Sequence, residues 1–340
     1  MKSGLAAWSV ITSFSGCPIC LVLFLTAAAV ASPGTQNPDR VNLFPKLSVG
    51  QVFRYRIGYR ADTHIDTESS VVAPMAPTGG HTDVQLHLLA EVTDFRLDAG
   101  KPLVRIRTRI NETEAVVEPA TPSAGTQPRS SSDDPDSGKI VEFSLHADGQ
   151  ITDADGLDKL SAEEQAAWQE WLSRFAAAGV YPEKGVKPGD KWKADEPIPS
   201  SILAALSWEK ESEYVNDTSC GAVQLTAQGD PASVGSKQDS CAVILTTATL
   251  KQKSSAKDAT PEDYKLHDLR TMGTASGKNE IISYISLKSG LLVRATEDAH
   301  QTMNAIVAKS DGSNRVHYTI EAESHAQVLL LASSASNSPH

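Results

Sequence analysis

The sequence predicts a mainly β fold (α+β), with antiparallel strands and one amphipathic helix. Three observations carry this prediction. Several segments alternate strictly between apolar and polar residues, as strands with one buried face do. Short turn signals, Ser289-Gly290 and Asp311-Gly312, join the last strands. Neighbours joined so tightly must be antiparallel, because parallel pairs need a crossover. A single segment, 161–178, carries apolar residues at three- and four-residue spacing.

Taken in order, residues 32–45 are rich in Pro and Asn and read as an exposed lead-in. In Val52-Phe-Arg-Tyr-Arg-Ile-Gly-Tyr59, residues Phe53, Tyr55, Ile57 and Tyr59 share one face, and Arg54 and Arg56 take the other. Residues 62–82 lose periodicity and read as a mobile insertion. Val84 to Phe95 reads as a strand, as does Leu103 to Val117, where Val104, Ile106, Thr108 and Ile110 oppose Arg105, Arg107 and Arg109. Residues 118–138 have almost no apolar content and read as a second mobile insertion. Ile140 to Leu145 is a further short strand.

The helix opens with a capping box, Ser161-Ala-Glu-Glu164, in which the Ser oxygen and the Glu carboxylate each meet an end amide. Ala167, Trp168, Trp171, Leu172, Phe175 and Ala178 form its stripe; Gly179 and Pro182 end it. Such a stripe usually covers the open face of a sheet. After a hinge at Lys187-Pro-Gly-Asp-Lys-Trp192, strands are expected at 207–215, 222–227, 242–250, 269–275, 280–287, 291–308 and 316–331. Residues 253–262 read as a loop and 332–340 as a disordered tail.

Composition limits function. The chain holds 42 Asp+Glu against 31 Lys+Arg, a formal charge of −11 spread along its length. Nothing in that balance would displace counterions from a phosphate backbone, so nucleic acid is not an expected partner. Residues 1–31 read as a signal peptide: Lys2 is the only charge before Asp39, an apolar run follows Cys17, and Ala29-Val30-Ala31 is a small-x-small cleavage site. The mature chain is expected to be periplasmic or secreted, with no stable transmembrane span. Phe14-Ser15-Gly16-Cys17 approximates a lipoprotein box, but the apolar residues after Cys17 are not a polar tether, which weighs against anchoring there. In an exported chain Cys220 and Cys241 are best read as a disulfide. Closing that loop stabilises by about 3 kcal/mol in the chain-entropy model.

Motifs for catalysis and cofactor binding are missing. There is no GxSxG, Walker A loop or GxGxxG, and no cofactor or metal is expected. The acids between Asp148 and Glu164 fit an EF-hand loop in neither register and are better explained by a tight turn before a capped helix. Nine His are scattered singly; His300, His317 and His325 could approach one another, but exposed strand histidines explain them more simply. The Arg faces could bind anions, yet read best as solvated faces of half-buried strands.

One resemblance adds to this. The order of Leu47-Ser-Val-Gly-Gln-Val-Phe-Arg-Tyr55, then Phe143, Gly149, Ile151 and Gly156, a Trp-bearing helix, Tyr181-Pro182 with Val186-Lys187-Pro188-Gly189-Asp190-Lys-Trp192, and Ser289-Gly290-Leu-Leu resembles a family of secreted bacterial proteins. In outline it is similar to the LolA/LolB-like periplasmic lipoprotein-carrier superfamily. The resemblance implies a curved antiparallel half-barrel over 46–331, one enlarged sheet or two, covered by helix 161–178. It also implies an interior that binds acyl chains or other apolar ligands, and no catalytic residues. The leading expectation is an exported, non-enzymatic binding protein for a lipid or other hydrophobic small molecule, with Trp168, Trp171 and Phe175 facing the ligand or the core. The alternative is an envelope scaffold acting through its loops and binding envelope proteins. A carboxylate or His hydrolase ranks last.

Overall fold

A computed structural model describes residues 40–69, 78–98, 100–119, 138–146, 149–175, 181–182, 184–198, 201–221 and 239–331. The expected leader, the tail at 332–340, a strand at 222–227, and Ala178 and Gly179 lie outside these residues.

Eleven strands form one open antiparallel sheet: β1 (Val52–Ser69), β2 (Thr78–Asp98), β3 (Lys101–Pro119), β4 (Lys139–His146), β5 (Ile151–Asp155), β6 (Lys191–Pro197), β7 (Leu206–Ser219), β8 (Ser240–Gln252), β9 (Leu269–Ser286), β10 (Leu292–Lys309) and β11 (Val316–Leu330). The other elements among the described residues are a 3-10 turn (Leu157–Lys159), α1 (Ala162–Phe175) and the short α2 (Glu262–Leu266). The order across the sheet is β5-β4-β3-β2-β1-β11-β10-β9-β8-β7-β6. Every neighbour is therefore a sequence neighbour except the central β1–β11 pair, and α1 lies in the connection between the two edge strands β5 and β6. An open antiparallel sheet of this size fits a curved one.

Strand reach differs from expectation. Residues 62–69 and 78–82, expected as a mobile insertion, extend β1 and β2, with pairs such as Thr63 opposite Gly80 and Ile65 opposite Thr78. Residues 118–119 likewise end β3, while 70–77 and 120–137 lie outside the described residues. The runs 269–275 and 280–287 belong to one strand, β9. Residues 151–155, read as part of a turn, are the short edge strand β5, and the other edge strand, β6, starts inside the expected hinge 187–192 and runs on to Pro197.

The lead-in is also corrected at its end. Arg40 pairs with Asp190 at 3.0 Å, Val41 bridges to Val186, and Leu43 is 1% exposed in the main core. Burial of Leu43 removes an aliphatic side chain from water and offsets part of the cost of ordering this segment. Phe44 in turn crowds the β9–β10 turn: Gly290 has φ +69°, and a Cβ there would stand 2.0 Å from the Phe44 carbonyl oxygen. Gly290→Ala is expected to destabilise by about 2 kcal/mol or more, read as the midpoint shift in urea; an unchanged midpoint would contradict this packing.

The apolar residues of β1 fall as the alternation requires: Phe53, Tyr55 and Ile57 are buried on the face that carries α1, here the inner face. Cys220 and Cys241 form the expected disulfide, tying the residue just after β7 to the start of the adjacent strand β8.

Candidate functional site

Helix α1 starts as its capping box dictates. The Ser161 amide donates to the Glu164 carboxylate at 2.6 Å, and the Glu164 amide donates to Ser161 Oγ at 3.2 Å. Its stripe then meets the inner face. Trp168 stands edge-on to Phe143 at 5.8 Å, Trp171 packs on Tyr55 at 5.8 Å, and Phe175 stacks on Trp171 at 4.8 Å. The Trp168 indole N–H donates to Thr108 Oγ1 at 3.2 Å, and that hydroxyl donates to the Val141 carbonyl. Tyr55 donates its hydroxyl to the Leu292 carbonyl at 3.1 Å, and its burial holds the phenol well above the ordinary tyrosine range. Trp168, Trp171 and Phe175 are thus brought together, buried among the protein's own aromatic and aliphatic side chains.

Beyond Phe175 the inner face changes character, and here sequence reading missed the most informative residues. A polar belt crosses β10 to β6. Glu297 on β10 is buried and ion-paired with Arg174 of α1, and Arg174 also donates to Glu170 at 2.8 Å. Asn279, 9% exposed on β9, donates its amide NH2 to Glu297. Next come the hydroxyls of Thr246 and Ser212, 2.8 Å apart and both buried, and then Lys210, paired with Glu196 of the edge strand. Register places them in two adjoining inward rows. One runs Tyr59, Ala326, Glu297, Ile281, Thr246, Ser212; the other runs Ala61, Ser324, Ala299, Asn279, Ala248, Lys210.

The belt separates two apolar cores. The larger holds the α1 aromatics. The smaller holds Leu203, Leu206, Leu250, Ala259 and Ala305, with Trp208 and Met303 against it. Between them lies an inward strip in which Ala61, Ile65, Ala299, Ile320 and Ala322 are half-buried and packed into neither core among the described residues, with Thr63, Ser324 and Gln301 interspersed at the same inward register.

Electrostatics follow from this placement. Tyr59 has its phenol pushed up by burial and then by the Glu170 charge. Burial also raises the Tyr181 phenol, with the Arg174 charge opposing it. Asn279 Oδ1, Trp171 Nε1 and Trp192 Nε1 are buried with no hydrogen-bond partner among the described residues. A buried polar atom in that state costs free energy, so each marks a place worth explaining. The signal that could have found the belt was polar residues at inward-register positions of otherwise alternating strands.

The opposite face carries the histidines. A groove of about 610 Å³ runs between two rows of side chains, Arg60, His325, Asp298 and Glu280 on one side and Asp62, Glu323, His300 and Lys278 on the other. His325 meets Asp298 at 2.7 Å and His300 meets Glu323 at 3.5 Å, whereas His317 lies apart against Asn304. No group of three or more His, Cys, Asp or Glu able to hold a metal occurs among the described residues. Asp153, from the rejected calcium motif, accepts hydrogen bonds from Ser144 and Thr152, both at 3.3 Å. Of the Arg faces, Arg105 and Arg107 both engage Glu142, and the Arg107 hydrogen bond chiefly holds that carboxyl below its ordinary range.

No helix among the described residues is long and apolar enough to cross a membrane. No family model and no curated protein matches the chain. Among solved structures, a candidate lipoprotein from Parabacteroides distasonis ATCC 8503 aligns over 83% of this chain and 98% of its own, at 9% identity and a TM-score of 0.23. Pseudomonas aeruginosa OccK11 (OpdR) aligns over 85% of this chain and 100% of its own, at 7% identity and a TM-score of 0.18. Pseudomonas aeruginosa OccK7 (OpdD) aligns over 83% and 100%, at 6% identity and a TM-score of 0.16. Likenesses at these scores support no statement about function.

Proposed function

We propose that this is an exported, non-enzymatic binding protein that holds an apolar molecule, such as a lipid, against the inner face of its sheet. The observation that carries this reading is the strip Ala61, Ile65, Ala299, Ile320 and Ala322 beside the polar belt. Small inward side chains project little from the sheet, and half-buried aliphatic atoms gain when an apolar passenger covers them. In this reading the sheet is a curved half-barrel and α1 its cover. Trp168, Trp171 and Phe175 hold that cover in place instead of lining the ligand. The likeness to lipoprotein carriers is part of the same reading, and so is export, with which the Cys220–Cys241 disulfide agrees.

Purified protein is expected to bind an apolar fluorescent reporter such as N-phenyl-1-naphthylamine, and protein made in a bacterial periplasm is expected to release an apolar passenger in native mass spectrometry. Ala322→Phe with Ala299→Phe fills the strip and is expected to weaken reporter binding by about tenfold or more. Neither reporter binding nor a passenger in the parent protein would defeat the reading.

A further inference from the structure

We propose that the molecule held on the inner face carries a hydrogen-bond-donating head, neutral or cationic (a hydroxyl, amide or amine), seated on Asn279. The inference rests on the binding role proposed above and names the chemistry of the ligand's polar end.

The argument begins with how Asn279 is oriented. Its NH2 donates to the Glu297 carboxylate. A carboxylate has only acceptors, so the reverse orientation would set oxygen against oxygen. That fixes Oδ1 on the side away from Glu297. There it is buried, without a donor among the described residues, in a residue 9% exposed. Its neighbours are small: Ala248 and Ala299 lie directly across on the two neighbouring strands, and Gly277 precedes it by one inward position on its own strand. Beyond Gly277 the Trp208 ring closes the wall, with its Cη2 2.9 Å from where a Gly277 Cβ would stand. The site is therefore a single buried acceptor flanked by a small-residue wall and an aromatic edge, next to the apolar strip. A donor group fits that acceptor, and an apolar body continues onto Ala299, Ala322 and Ile320.

Charge on the belt selects the same class. Arg174 is shared between Glu170 and Glu297, and Lys210 is paired with Glu196. Three carboxylates thus face two cations, so the belt carries an excess negative charge and both of its cations are already engaged. An anionic head would be repelled and would find no free cation, and it has no proton to give Oδ1. A fatty-acid carboxylate is the wrong ligand on both counts; an alcohol, amide or amine of equal tail length is the right one.

Three dodecyl probes decide the matter: dodecanol, dodecylamine and dodecanoate at neutral pH, each displacing N-phenyl-1-naphthylamine from the full protein. Dodecanol and dodecylamine are expected to displace it at concentrations about tenfold or more below dodecanoate. In Asn279→Leu, and in Asn279→Ala should the larger side chain prevent folding by circular dichroism, the preference for dodecanol over dodecanoate is expected to fall about threefold or more while the reporter still binds, the charge of the belt keeping the remainder. Equal displacement by all three in the parent protein, or an unchanged ratio in the folded variant, overturns the head-group assignment and leaves the carrier role standing. A parent protein that binds no reporter overturns both.

Discussion

Arg174→Ala is expected to lower folding stability by about 3–5 kcal/mol, because it strands Glu297 as a buried carboxylate without its cation. Both side chains are close to nine-tenths buried, so solvent does little to replace the lost partner. The measurement is a urea or thermal melt; a fall in Tm of roughly 10 °C corresponds to that loss. The double variant Arg174→Met with Glu297→Leu is expected to recover most of it, since a buried ion pair is often no more stable than apolar groups of similar volume. A single variant that loses less than about 1 kcal/mol would place the pair in water, and the polar belt would cease to be an interior feature. Reporter binding by the double variant separates the two roles of the pair, because folding would be restored while the belt's charge would be gone.

Trp171→Ala is expected to cost as much, about 3–5 kcal/mol, by a different route. The ring is fully buried and touches Tyr55, Phe143, Trp168 and Phe175. Its removal opens a cavity at the centre of the α1–sheet contact, where four aromatic rings have lost a neighbour. Near-ultraviolet circular dichroism is expected to weaken along with stability. Trp171→Phe keeps part of the volume and is expected to be milder, at about 1–2 kcal/mol. If Trp171→Ala instead abolished reporter binding with stability unchanged, the ring would be lining the ligand and not holding the cover.

These two residues mark how far the sequence could be read. The stripe containing Trp171 obeys helical spacing and begins at a capping box, so both ends of the physical argument were visible: three-and-four-residue periodicity inside and Ser161 with Glu164 at the start. The β1 alternation was legible for the same reason, since Phe53, Tyr55 and Ile57 are large, apolar and inward. The disulfide followed from there being only two cysteines after the leader.

Arg174 and its partners were not legible. Glu297, Asn279 and Lys210 sit at inward positions where a half-buried strand ordinarily places apolar residues, so they erase the very period used to detect a strand. Gly277-Lys278-Asn279 broke β9 into two apparent strands for this reason. The far ends of β1 and β2 failed likewise: Thr63, Ala61 and Gly80 face inward, and Asp62, His64 and His81 face outward, leaving little contrast between the faces. Edge strands β5 and β6 are short and flanked by turns, and β6 pairs on one side only. The docking of Leu43 depends on partners far along the chain, which local pattern cannot reveal.

The strand order has a consequence for how the molecule comes to be made. The seam at the middle of the sheet joins β1 to β11, the first and last strands in sequence, while every other pairing is between sequence neighbours. Hairpins can form on either flank as the polypeptide emerges, but the centre stays unzipped until residues near 330 have been delivered. The most distant contacts in the sequence are therefore also the most central ones, a topology that favours slow, late consolidation over stepwise growth. A nascent or C-terminally shortened chain would present two long unpaired strand edges to its surroundings, and it would depend on folding assistance for as long as they stay open.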